Sequence, residues 1–93
     1  DRQTIMNLGA LLLERKTKEA IDFLNTSIEK GVNPSDLLVN LIDYFRQLLI
    51  IKFGVKNDYF ELLDEDEKKI FKRQAQNTSE TDLKKILRAL LEA

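Results

Sequence analysis

The chain predicts an all-α fold, a five- to six-helix bundle around a central apolar helix at about residues 34–53. Apolar residues recur at three- and four-residue intervals along most of the 93 residues, and no segment alternates apolar and polar with period two. Gly31, Asn33-Pro34, Gly54 and Ser79 fall where such periodic segments stop or start. The stretch KGVNPSDLLVNLIDYFRQLLIIKFG, residues 30–54, sets a proline-started helix between two glycine stops, apolar on nearly every side, with Arg46 in its midst. A helix of that kind cannot face water all round, so neighbouring helices or another subunit must wrap it.

Taken in order, Ile5, Leu8 and Leu12 define a first helix over 2–14, ended by the polar run Arg15-Lys16-Thr17. Thr17 is the expected cap of a second helix, with Ala20, Ile21, Leu24 and Ile28 as its inner stripe and Gly31 as its left-handed stop. Asn33 can accept from first-turn amides, Pro34 arrives with φ preset, and Asp36 suits the positive end of the dipole, so the third helix starts there and runs to about Phe53. Leu38, Leu41, Ile42, Phe45, Leu48 and Leu49 form its broad face, widened by Leu37, Tyr44 and Ile51. The connector VKNDYFELL is expected to make a short helical turn. Asp64 with Glu67 three residues on forms a capping arrangement for a helix over 65–77, and its acids precede Lys68, Lys69, Lys72 and Arg73, the order a helix dipole prefers. Ser79 or Thr78 caps the last helix, with Leu83, Ile86, Leu87, Leu90 and Leu91 on one face and Lys84, Lys85 and Arg88 off it.

A chain of this length buries about 60–65% of its unfolded surface, enough for one modest core, and a single domain over 1–93 is expected. The sequence has no cysteine and no histidine, which removes disulfides, thiolate zinc sites, thiol nucleophiles and the commonest general base. Fifteen basic against sixteen acidic residues give a net charge of −1, short of the basic excess that phosphate binding calls for. No apolar run approaches the ~20 residues a membrane span needs, and nothing at the start resembles a signal peptide. A soluble, cytoplasmic domain is expected. The start at Asp1 without methionine and the helical ending ALLEA suggest a fragment of a longer chain.

Little here resembles catalytic chemistry. The serines and threonines have no histidine to activate them, and neither GxxxxGK[ST] nor GxGxxG occurs, so no nucleotide site and no cofactor are expected. The run Asp64 to Glu67 lacks the glycine turn and alternating oxygen ligands of a calcium loop, so it reads as helix-start electrostatics and no metal is expected. Lys68, Lys69, Lys72 and Arg73, a basic patch beside Phe71, read as a solvated face or as a weak nucleic-acid contact whose field the neighbouring acids cancel. Phe23, Tyr44, Phe45 and Phe53, spaced as helical aromatics, read as core rather than as a ligand pocket. Asp43 and Arg46, three apart, can pair locally, or Arg46 can reach a partner subunit.

Residues 19–54, EAIDFLNTSIEKGVNPSDLLVNLIDYFRQLLIIKFG, resemble the third, collar-forming domain of the bacterial DNA polymerase III gamma/tau subunit, part of the clamp loader. The family pattern A-x-x-x-L-x-x-x-x-x-x-G-x-(D/N)-P is matched by Ala20, Leu24, Gly31, Asn33 and Pro34. The pattern L-L-x-x-L-(I/L)-x-x-x-R-x-L-L-x-x-K is matched by Leu37, Leu38, Leu41, Ile42, Arg46, Leu48, Leu49 and Lys52. The tail is similar too, with L-(D/S)-E-x-E opening at Leu63, then Ala75, then L-x-x-(I/L)-L-x-x-L-x-E from Leu83 to Glu92. The resemblance implies a collar that packs with its counterparts into a ring and holds ATPase modules, encoded upstream, which open the sliding clamp and load it on primed DNA. It implies no enzyme activity in the fragment itself, within a longer polymerase subunit of transferase class. The delta subunit has a related collar with an f-R-x-L-L helix. The Gly-Val-Asn-Pro run and the acidic opening at Leu63 favour gamma/tau.

Gly9 departs from an ideal helix former and costs up to about 1 kcal/mol unless a close neighbour needs the space. The interface candidates are Tyr44, Arg46, Ile50, Leu87, Leu90 and Leu91, and the expected partners are other clamp-loader subunits in a homo- or hetero-oligomer. Two other readings stay open: a small nucleic-acid binder using Lys68, Lys69, Lys72, Arg73, Lys84, Lys85 and Arg88, and a monomeric helical adaptor.

Overall fold

The computed structural model describes residues 2–93. Among them lie six helices and no strand: α1 (Arg2–Leu13), α2 (Thr17–Glu29), α3 (Pro34–Lys52), α4 (Asp58–Glu61), α5 (Glu65–Asn77) and α6 (Glu80–Leu91). The all-α class and the helix number agree with the sequence, and α5 begins where its capping signal places it and spans the expected 65–77. The chain divides into two compact units, one ending at Tyr44 and the other beginning at Phe45, so α3 contributes to both.

Helix ends follow from the need to satisfy orphan backbone groups. Asn33 Oδ1 accepts from the amides of Ser35 at 2.8 Å and Asp36 at 3.1 Å, which starts α3. Asp64 and Glu67 form a reciprocal capping box at 2.8 and 3.0 Å, Asn57 caps α4 through the Phe60 amide at 2.8 Å, and Ser79 caps α6 through the Asp82 amide at 3.0 Å. Of the two sequence candidates for the α6 cap, Ser79 fills the role.

Three helices end in the same doubly bonded turn with a left-handed residue. After α3, Gly54 donates to Ile51 and Val55 to Ile50; after α2, Gly31 donates to Ile28 and Val32 to Ser27. Glycine fits because φ is +76° at Gly54 and +97° at Gly31. After α1 the same pair of bonds runs from Arg15 to Leu12 and from Lys16 to Leu11, with Arg15 at φ 58°. Thr17 is therefore not a cap. It is already helical, and Lys16 both closes α1 and occupies the cap position of α2 without a side-chain bond.

In the first unit α1 packs against α2. The buried side chains are Ile5, Met6, Leu8, Ala20, Leu37, Leu41 and Tyr44, together with the Ser27 hydroxyl, which donates to the Phe23 carbonyl at 2.9 Å. Gly9 presents bare backbone to the Tyr44 ring: a Cβ there would lie 2.9 Å from Tyr44 Cε2. The inner stripe expected for α2 is corrected. Ile21 and Ile28 are 52% and 39% exposed, while Ala20 and Ser27 are buried and Phe23 and Leu24 half-buried, which rotates the buried face to small residues.

In the second unit the buried residues are Phe45, Leu48, Leu63, Phe71, Ala75 and Leu83. The Phe71 ring lies 5.7 Å from Tyr59 and 6.1 Å from Phe60, both tilted, so α4 covers α5 through aromatic contacts. Lys52, at the end of α3, donates from Nζ to the Ala75 carbonyl at 2.9 Å. Ala75 lies in the last turn of α5, where carbonyls lack helical donors, so the lysine satisfies one of them and complements the dipole. Phe53, expected in the core, is 57% exposed, because α3 has already ended at Lys52 and the glycine turn carries the chain outward.

Candidate interaction surface

Two apolar ridges of the second unit are the strongest candidates for contact with another chain. On α6, Leu83 is fully buried, Ile86, Leu87 and Leu90 are half-buried, and Leu91 is 59% exposed. Coverage of the apolar face thus falls away toward the end of the helix. Lys84, Lys85 and Arg88 lie off this face, and Lys84 is held 2.8 Å from Glu80 one turn back. On α3, Arg46 and Ile50 share one face at i, i+4 spacing, with Arg46 exposed and Ile50 half-buried, and Phe53 follows on the turn just past the helix. Five of the six sequence candidates therefore have solvent access. Tyr44 is 1% exposed and packs on Gly9, so it sits in the interior of its own unit.

Phe53 is the residue of this surface that periodicity missed. Its signal was present in the adjacent Gly54, since a helix stop before the last apolar residue leaves that residue on the turn. An exposed apolar ridge beside an arginine is the composition of an interface core, where aromatic, Leu and Arg contacts supply affinity.

Two of the basic residues of α5 have local partners. Lys68 lies 4.0 Å from Glu61 and 3.8 Å from Glu65, and its ammonium stands 5.5 Å from the Phe60 ring centroid, with Lys72 at 5.4 Å from the same ring. The aromatic partner of this patch is thus Phe60, whereas the neighbour read from sequence, Phe71, is fully buried. The acids Asp64 and Glu67 are joined in the capping box, and among the described residues no group of three His, Cys, Asp or Glu is placed to hold a metal. No helix is long and apolar enough to cross a membrane.

Helical throughout, and carrying apolar ridges on two of its helices, the chain is of the class of all-α packing modules. It belongs to the family of DNA polymerase III subunits gamma and tau, domain III, whose model matches residues 1–93. This is the first of the two collar families that the sequence resembles. No curated protein and no solved structure matches the chain significantly.

Proposed function

We propose that this chain is an oligomerisation collar of the gamma/tau subunit, packing with its counterparts to hold ATPase modules that load the sliding clamp on primed DNA. The observation that carries the reading is the partly uncovered apolar face of α6, ending in Leu91, in a chain that belongs to the gamma and tau domain III family. In this reading the energy comes from burying Leu87, Leu90, Leu91, Ile50 and Phe53, each worth about 1.5–3 kcal/mol when fully buried, and Arg46 contributes specificity. The fragment itself performs no catalysis and binds no cofactor; the ATPase lies in the longer subunit, and the assembly works in the cytoplasm. DNA is not a direct ligand, because the net charge of −1 supplies no basic excess and Lys68 is met by Glu61 and Glu65.

The test is solution mass by light scattering from low to high micromolar concentration. Discrete assembly is expected, lost on Leu91→Asp. Arg46→Ala is expected to weaken association more than it lowers the melting temperature. Equal loss of folding and assembly would make Arg46 structural, and a monomer at every concentration would remove self-association from the reading.

A further inference from the structure

We propose that the groove lined by Ile51, Lys52, Lys72, Ala75 and Gln76 is a socket for the Leu91–Glu92 end of α6 from a second copy of this chain. The proposal rests on the self-assembly reading above and names the two surfaces that meet. The groove is open to solvent, with a volume of about 410 Å³. Its lining is apolar at Ile51 and Ala75 and carries two ammonium groups and one amide, and none of its lining residues is acidic. Lys52 is held in place by its 2.9 Å bond to the Ala75 carbonyl, which uses one of three N–H donors and leaves the others for an acceptor in the groove. Lys72 is exposed and steadied over the Phe60 ring. Such a site fits an apolar side chain next to a carboxylate.

The chain itself presents that pair. Leu91 is 59% exposed, and Glu92, also exposed, lies outside the ion pairs formed among the described residues. No α6 residue lines the groove, so the Leu91 end does not fill the socket of its own chain. Of the other exposed apolar–acidic steps, Glu61-Leu62 has its carboxylate near Lys68 at 4.0 Å, Ile28-Glu29 offers a less exposed side chain, at 39%, and Ile21-Asp22, 52% exposed at Ile21, lies within α2, whereas Leu91-Glu92 ends its helix and can enter a groove end-on. A contact of one patch with a different patch on the next copy is heterologous, and repeated contacts of this kind close into rings or run on as filaments.

Charge exchange followed by sedimentation equilibrium tests the pairing. Lys72→Glu and Glu92→Lys are each expected to weaken self-association about tenfold or more, whereas the double variant K72E/E92K, which restores opposite charges across every contact, recovers most of the loss. Asp22→Lys and Glu29→Lys leave association unchanged. Circular dichroism melts confirm that the variants fold. Association that persists through both single changes, or a double variant no better than the singles, overturns the socket and leaves the collar reading standing. Loss of association on Asp22→Lys or Glu29→Lys alone places the knob on α2 and overturns it as well. A wild-type chain that stays monomeric overturns both the socket and self-association.

Discussion

Gly9 shows how a single residue sets helix packing. In isolation it weakens α1 relative to alanine by about 1 kcal/mol. Yet its missing Cβ is the space into which the Tyr44 ring fits, 2.9 Å from where that atom would be, and Tyr44 is too buried to swing away. Gly9→Ala is therefore expected to destabilise by about 1–2 kcal/mol net in a urea titration, the overpacking cost exceeding the propensity gain. A stabilised variant would mean that the ring shifts at little cost. Arg15 makes the opposite case. It occupies a left-handed position at φ 58° that glycine fills after α2 and α3. Arg15→Gly should raise stability by up to about 1 kcal/mol, read as a higher melting temperature, because the steric cost of the left-handed Cβ outweighs the extra freedom of the unfolded chain.

Among the elements, α5 is the most strongly specified by its own sequence. Its capping box, its acidic first turn and its later cations act within a few residues of one another, so the helix start was legible without any tertiary contact. Asp64→Ala is expected to cost about 1 kcal/mol of stability and to speed hydrogen exchange at the Glu67 amide, whose acceptor it removes at 2.8 Å. Unchanged protection there would mean that packing of Phe71, rather than the cap, holds the first turn. The end of α5 is held differently. There Lys52, far off in sequence, supplies the donor for Ala75, and periodicity carried no sign of that bond.

For the whole molecule, the balance of fifteen basic and sixteen acidic residues leaves no long-range field to gather phosphates. A fluorescent DNA duplex should show no saturable, salt-sensitive anisotropy change at micromolar chain concentration. A steep salt dependence would instead revive the basic face of α5 as a nucleic-acid surface. The apolar ridges on α3 and α6 belong to this scale too, because exposure is a property of everything that fails to cover a side chain. Leu91 continues an apolar stripe that is buried earlier in α6, while Phe53 sits on the turn just past α3, and both are more than half exposed.

The sequence by itself determined the all-α class, the helix order, the starts of α3, α5 and α6, and the glycine stops after α2 and α3. Caps, proline starts and glycine stops satisfy backbone groups within about four residues, and such chemistry can be read locally. It also carried the Ala20–Leu24–Gly31–Asn33–Pro34 and Arg46–Leu48–Leu49–Lys52 patterns by which the family is recognised. Only the tertiary structure decided which apolar residues are inside. Ile21, Ile28 and Phe53 turn outward, Ser27 turns inward, Tyr44 claims the space left by Gly9, and Phe60 stands under the ammonium groups of Lys68 and Lys72. A helix with a wide apolar arc offers several faces to bury, and the one that is covered depends on contacts between residues far apart in the chain, which no local pattern encodes.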